Sequence, residues 1–278
     1  MLVFDGPLVL VGAGKMGGAL LSGWLKPRTG AGVEPQNVFL RDPNPPEEIA
    51  LLAADNGLKL NFPIEEIAAS APRVVVLAVK PQIMEVVLPE LRPLVRPGTF
   101  FLSIAAGISL QSLRNGLGKE AAIVRAMPNT PASIGLGITA AFGNEAVSAE
   151  DKLVCDALLG AVGEAVWLSH EAQMDAVTAL SGSGPAYIFA LAESMAAAGE
   201  ALGLEPALAE QLARATVAGA GAMLAQVSED AATLRKNVTS PGGTTAAALD
   251  VLLGPDGLVQ LMRSAMSAAE ARSRELAK

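Results

Sequence analysis

The run Leu8-Val9-Leu10-Val11 leads straight into Gly12-Ala13-Gly14-Lys15-Met16-Gly17 and then into the apolar, helix-forming stretch 18–25. Nothing else in the chain restricts its fold as tightly. A buried strand, a glycine turn and a helix start occur in the order that a dinucleotide-binding unit requires. Gly12 permits the tight turn, Gly14 admits a pyrophosphate close to backbone, and Gly17 lets the helix lie against the strand. The helix start then presents unpaired N–H groups and a positive dipole end to phosphate.

Downstream, short β-rich runs alternate with helical patterns to about residue 165. Strands are expected at 8–11, 38–41, 74–79, 99–104, 122–125 and 138–142, with a short one near 166–167. Helices are expected at 46–56, 82–91 and 149–159. Such alternation implies right-handed crossovers and a doubly wound, mostly parallel sheet. After His170 strand patterns cease, and Ala/Leu helices are expected near 172–180, 185–202, 206–227, 229–236, 243–253 and 257–276. The fold class is therefore an α/β N-terminal dinucleotide-binding, Rossmann-like domain followed by an all-α C-terminal domain. The first is assigned to 1–168 and the second to 169–278.

Composition narrows the function classes. Hydrophobic residues make up 51% of the 278 but aromatic ones only 4%, so the core is built from small and aliphatic side chains. Helices made this way approach closely, which suits a helical half packed against copies of itself. A net charge of −8 leaves no basic stripe to neutralise phosphates, which argues against a nucleic-acid partner. The single Cys155 excludes an intrachain disulfide framework and fits a reducing cytosol. The long apolar run 186–204 carries Glu193 and Glu200, and it is read as a buried soluble helix rather than a membrane span.

In an open parallel sheet the ligand lies beyond the carboxyl ends of the strands, so the residues following each strand matter most. Asp42 follows the second strand, a little farther past Gly17 than the usual spacing of about 20 residues for the acid that receives a ribose 2′-hydroxyl. Asp42 favours NADH, whereas neighbouring Arg41 keeps NADPH open. Ala78-Val79-Lys80-Pro81 follows the next long strand, and Ser103-Ile104-Ala105-Ala106-Gly107 ends the one after it with mostly small residues. In Met127-Pro128-Asn129-Thr130-Pro131 the prolines stiffen a loop at the same edge. In the helical half, the strings 180–187 and 239–245 each break a helix with bare backbone and then restart one. N–H groups and hydroxyls together at such a start make an anion site suited to a carboxylate. No cluster of metal ligands is apparent and His170 is the only histidine, so acid–base work falls to hydroxyls or water. Cys155, on an apolar helix face, is read as core.

The strings Gly-Ala-Gly-Lys-Met-Gly at 12–17, Ala-Val-Lys-Pro at 78–81, Met-Pro-Asn-Thr-Pro at 127–131, Leu-Ser-Gly-Ser-Gly-Pro-Ala-Tyr at 180–187 and Ser-Pro-Gly-Gly-Thr-Thr at 240–245 resemble Δ1-pyrroline-5-carboxylate reductases over nearly the whole chain. The resemblance implies hydride transfer from NADH or NADPH to the cyclic imine 1-pyrroline-5-carboxylate, giving L-proline in the last step of its synthesis. It implies homodimers joined through the helical domain, and a decamer as a larger assembly. It also implies that Gly12, Ala13, Gly14, Lys15, Met16 and Gly17, with Asp42, Ala78, Val79, Lys80, Pro81, Ile104, Ala105, Ala106, Met127 and Asn129, hold the cofactor. Ser240, Gly242, Gly243, Thr244 and Thr245 then hold the substrate, with Glu171 and Asn237 near it, and the Thr245 hydroxyl faces the ring nitrogen as the catalytic group. No metal is implied. Asp42 departs from the Ser or Arg common at that position. The Asn often found before the next helix is displaced around 62–64, unless Asn61 takes its place. Rival readings are a hydroxyacid dehydrogenase or general imine reductase of the same plan, and a non-catalytic redox sensor. The first wants a lysine that 171–175 lacks, and the last has no need of the 240–245 string.

Overall fold

A computed structural model of the chain describes residues 6–26 and 33–276. The described chain falls into two compact units, one running to Gly182 and resuming at Glu270, the other spanning Ser183–Ala269. In the first unit lie strands β1 (Leu8–Val11), β2 (Val38–Arg41), β3 (Lys59–Leu60), β4 (Val74–Leu77), β5 (Phe100–Ser103), β6 (Ala122–Met127), β7 (Gly137–Gly143) and β8 (Gly163–Trp167). They form an eight-stranded sheet in the order β3-β2-β1-β4-β5-β6-β7-β8. Every neighbouring pair is parallel except β6 and β7. Helices α1 (Lys15–Trp24), α2 (Glu47–Asp55), α3 (Ile64–Ala69), α4 (Met84–Glu90), α5 (Leu110–Leu117), α6 (Ala149–Gly160) and α7 (Met174–Val177) connect and follow the strands. The expected doubly wound, mostly parallel sheet is present.

Side-chain alternation explains why the central strands read as continuous apolar runs. Successive residues point to opposite faces, and both faces are covered by helices. Leu8 and Leu10 of β1 join Leu20, Leu21 and Trp24 in one cluster, while Val9 and Val11 join Met84, Leu88 and Leu113 in the other. Cys155 is fully buried in the first cluster, and burial above all, with nearby Asp156 and Asp151, pushes its thiol far up, so it is inert core.

Some elements differ from their sequence pattern. β4 stops at Leu77 because Pro81 holds Lys80 extended and opens a 3₁₀ turn, Pro81–Ile83, ahead of α4. The helix expected over 172–180 is α7 followed by a π-helical turn, Thr178–Gly182. β3 carries no strand pattern of its own and exists only as an edge ladder on β2.

The second unit is helical: α8 (Gly184–Ala201), α9 (Pro206–Gln226), α10 (Ala231–Asn237), α11 (Thr244–Leu252) and the first turns of α12 (Leu258–Leu276). Ala209 packs against Gly199 where α8 and α9 run together. Few side chains here are buried, α8 has none where a buried helix was expected, and Phe189, Leu202, Leu224, Val251 and Leu261 are largely exposed. Apolar helix faces of this extent mark an interaction surface. Among the described residues no helix is long and apolar enough to cross a membrane.

At the amino-terminal end of the sheet one ion pair ties three segments together. Asp151 accepts from the Ser148 amide and hydroxyl, closing a capping box on α6, and its other oxygen lies 2.5 Å from Arg73, which also donates to the Gly98 carbonyl. Burial pushes the Asp151 carboxyl up, but the Ser148 amide, Arg73 and the Ser148 hydroxyl outweigh it and hold it below the ordinary value of 3.8. A carboxylate depressed in this way stabilises the fold fully above its unfolded pKa and loses that contribution as pH falls through the folded value. Asp151→Asn is expected to cost about 1–3 kcal/mol at neutral pH, because Arg73 loses its close carboxylate partner and keeps, of carboxylates, only the exposed Glu150 at 3.7 Å. In denaturant titrations the gap between variant and wild type should shrink as pH is lowered. A gap independent of pH would contradict the ion-pair account.

Candidate active site

The carboxyl ends of β1, β2, β4 and β5 are where the sequence motifs converge. Gly12 has φ +91° and its amide donates to the Arg41 carbonyl at 2.8 Å, which turns the chain out of β1. A Cβ on Gly17 would stand 2.3 Å from the Gly12 carbonyl oxygen and 3.0 Å from Ala78 Cβ, so only glycine lets α1 start this close to the strand ends. Gly14 is the N-cap of α1, contributes no side-chain cap, and has nothing within 4 Å of where its Cβ would stand. No acidic residue lies in the first turn. The first amides of α1 therefore carry no side-chain cap, and they lie beside the open space at Gly14 with a positive dipole end behind them. This cradle fits the pyrophosphate of a dinucleotide.

Asp42 stands at the rim of this turn. Its carboxylate accepts from the Ala13 amide at 2.7 Å and from the Asn44 amide at 2.9 Å. Its own backbone is held by Asn61, whose side chain both accepts from the Asp42 amide and donates to its carbonyl. Lys80 is exposed just past β4, with Ala78 and Val79 half-buried before it and Pro81 after it. Past β5, Ile104 and Ala105 are buried and Ala106 is exposed. The Ile104 amide is bonded to the Leu77 carbonyl at 3.0 Å.

Farther along the edge, Met127 ends β6 and meets the π-helical turn. A Cβ on Gly182 would lie 2.6 Å from Met127 Cε, the free end of that side chain, which therefore packs directly on the backbone of 182. A π turn of this kind is frequent at functional sites. Its hydroxyls are turned onto the preceding helix, Thr178 to the Met174 carbonyl and Ser181 to that of Val177. Asn129 is buried and accepts from the Ile138 amide at 2.9 Å, pinning the 127–131 loop to the start of β7.

Glu171 has defined partners within this unit. One carboxylate oxygen accepts from the Leu110 amide at 2.8 Å and from Arg125 at 2.9 Å. Arg125 is 7% exposed as a side chain. Arg125 thus braces β6 just before Met127, a role that no local pattern signals because its partner lies 46 residues away. Ser273 likewise donates to Asp175 at the start of α7.

In the helical unit the 240–245 string forms the start of α11. Gly242 has φ +69°, a Cβ on Gly243 would fall 2.4 Å from Ser240 Oγ, and Gly243 is an N-cap without a side-chain bond. Thr244 is exposed and Thr245 half-buried in the first turn, and Ser240 is exposed before it. The arrangement offers bare amides with hydroxyls beside them, the chemistry of a carboxylate site. Asn237 is the exposed last residue of α10, just upstream.

Comparison with known proteins bears on both units. A family described as pyrroline-5-carboxylate reductase dimerisation matches residues 171–276, and one described as NADP oxidoreductase coenzyme F420-dependent matches 7–107. The chain is 42% identical to the pyrroline-5-carboxylate reductase of Pseudomonas aeruginosa, over 97% of its own length and 96% of that protein's. It is 36% identical to the Pisum sativum protein of the same name, over 97% and 95% of the two chains. Its fold is similar to the solved pyrroline-5-carboxylate reductase of Coxiella burnetii, with a TM-score of 0.89, 35% identity, and 98% and 99% of the chains covered. The Plasmodium falciparum pyrroline carboxylate reductase with NADP bound gives a TM-score of 0.81 at 29% identity, with 99% of each chain covered.

Gly14 separates folding from binding. Gly14→Ala is expected to keep stability within about 1 kcal/mol of wild type, because its φ of −64° suits alanine and the space is open. The same methyl group stands where phosphate would approach, so dinucleotide affinity should fall about tenfold or more in a fluorescence titration. Unchanged affinity would place the pyrophosphate elsewhere.

Proposed function

This chain belongs to the pyrroline-5-carboxylate reductase family, and we propose that it reduces the C=N bond of 1-pyrroline-5-carboxylate to give L-proline. When bound, the cofactor NADH or NADPH supplies the hydride. The observation that carries the reading is a pair of helix starts without side-chain caps, α1 after Gly14 and α11 after Gly243. Each suits an anion, the first a pyrophosphate and the second a carboxylate.

The residues divide the work as follows. The 12–17 turn holds the pyrophosphate, with Asp42 at the adenosine ribose. Lys80, Ile104–Ala106 and the 127–131 loop line the strand ends toward the nicotinamide. In the helical unit, the amides of Gly243, Thr244 and Thr245 take the substrate carboxylate, and Ser240 and Asn237 stand beside it. Fixing the carboxylate orients the imine carbon for attack, and orientation of this kind supplies several kcal/mol of a barrier. Reduction places a hydride on carbon and a proton on nitrogen. Thr245 donates a hydrogen bond to that nitrogen as it becomes basic, and its hydroxyl or water delivers the proton. A histidine relay is not needed, since an imine is already electrophilic. Glu171 acts through Arg125 and the Leu110 amide, and so shapes the site by bracing β6.

The exposed apolar side chains of the helical unit support a homodimer formed through it, and we infer a decamer as its larger assembly. A buried, unreactive single cysteine is in keeping with a cytoplasmic protein.

Thr245→Ala is expected to lower kcat for the imine by about 10²–10³-fold while leaving dinucleotide affinity unchanged. Steady-state kinetics followed by cofactor absorbance, beside a binding titration, measure both. Wild-type turnover in this variant would remove Thr245 from the mechanism. Failure of the wild-type protein both to reduce the imine and to oxidise proline at alkaline pH, with normal dinucleotide binding, would overturn the function itself.

A further inference from the structure

We propose that the corner Asn61–Phe62 makes this chain select NADH over NADPH, with Asn61 acting as a positioning residue for Asp42. The inference rests on the cofactor site described above and concerns its adenosine end. An acid after the second strand of such a sheet receives a ribose 2′-hydroxyl, whereas an arginine nearby accommodates a 2′-phosphate. This chain carries both, Arg41 and Asp42, and the sequence alone leaves the choice open. The structure gives each a different assignment.

Asp42 is fixed and turned to the glycine turn. Its carboxylate oxygens are engaged by the Ala13 and Asn44 amides at 2.7 and 2.9 Å. A carboxylate has about four acceptor positions, so ribose hydroxyls can still be received without moving it. Its backbone is clamped by Asn61, which accepts from the Asp42 amide at 2.9 Å and donates to the Asp42 carbonyl at 2.8 Å. The Asn61 amide itself donates to the Leu40 carbonyl at 2.8 Å, which fastens the end of β3 to the end of β2. Asn61 makes these bonds from φ +53°, a left-handed conformation that asparagine adopts more readily than most residues.

Arg41 is drawn away by the next residue. Its guanidinium donates to the Phe62 carbonyl at 3.0 Å and lies 3.6 Å from Glu90. Lys59, on the same edge, rests over the Phe39 ring at 4.4 Å. The next charges along the chain, Glu47 and Glu48 in the first turn of α2, are negative. A 2′-phosphate would therefore meet a fixed carboxylate, with the Arg41 guanidinium already committed to a carbonyl and a carboxylate. Like charges a few ångströms apart at a protein surface repel by an amount on the order of tenfold or more in affinity.

The test is direct titration of the purified full-length protein with NADH and NADPH, followed by fluorescence and independent of turnover. Wild type is expected to bind NADH about tenfold or more tightly than NADPH. Asp42→Asn should bring the two affinities close together. Asn61→Gly keeps the left-handed backbone accessible while removing the clamp, and should narrow the ratio severalfold. In the double variant Asn61→Gly should have no further effect on the ratio, because it acts through Asp42. A purely structural Asn61 would weaken both dinucleotides by the same factor, and that result would overturn its assignment. Wild type binding NADPH as tightly as NADH, or more tightly, would overturn the preference. Binding of neither dinucleotide would overturn the cofactor site itself, and this inference with it.

Discussion

The approach of Gly17 to the carbonyl of Gly12 is the contact on which the carboxyl edge of the sheet depends. With a Cβ there only 2.3 Å from that oxygen, any other residue would lift α1 off β1 and β4. Because the helix starts so close, its first amides, the Ala13 amide and the Asp42 carboxylate share one rim, and Ala78 closes the turn from beneath. The strand ends that follow, after β4, β5 and β6, inherit their positions from the same parallel register. The absence of a side chain at one helix start thereby decides whether the distant motifs have a common edge.

Much of this was legible in the chain itself. β1, β4 and β5 are short apolar runs because helices cover both faces, and their alternation assigns each residue to its cluster. The helical half was legible too, since Gly, Pro and Ser punctuate it where α8, α9, α11 and α12 begin. What escaped depended on partners remote in sequence. β3 is two residues long and includes a lysine, so nothing in its pattern announces a strand. The reversal at β7 has no signature in the run 138–142, and it follows from how the chain turns after Asn129. The corner at Asn61 was visible only as an asparagine out of its usual place, and its grip on Asp42 needed three dimensions.

The candidate site divides in the same way. Residues 12–17 and 240–245 declare themselves because bare backbone at a helix start is a local property. Glu171 does not. Its carboxylate is engaged by Arg125 and by the Leu110 amide, which makes it a brace for β6. The exposed apolar side chains of the helical unit give a physical reason for that half to act as an oligomer surface, and the dimerisation family matched over 171–276 accords with it.

The central claim is that this chain carries a hydride from a dinucleotide directly to the imine carbon. The most direct measurement is isotopic. The protein is incubated with 1-pyrroline-5-carboxylate and cofactor carrying deuterium at both hydrogen positions of the nicotinamide C4, and the proline formed is weighed by mass spectrometry. Direct transfer predicts proline carrying a single deuterium that exchange with water does not remove. Proline without deuterium, or cofactor oxidation without proline, would contradict the account.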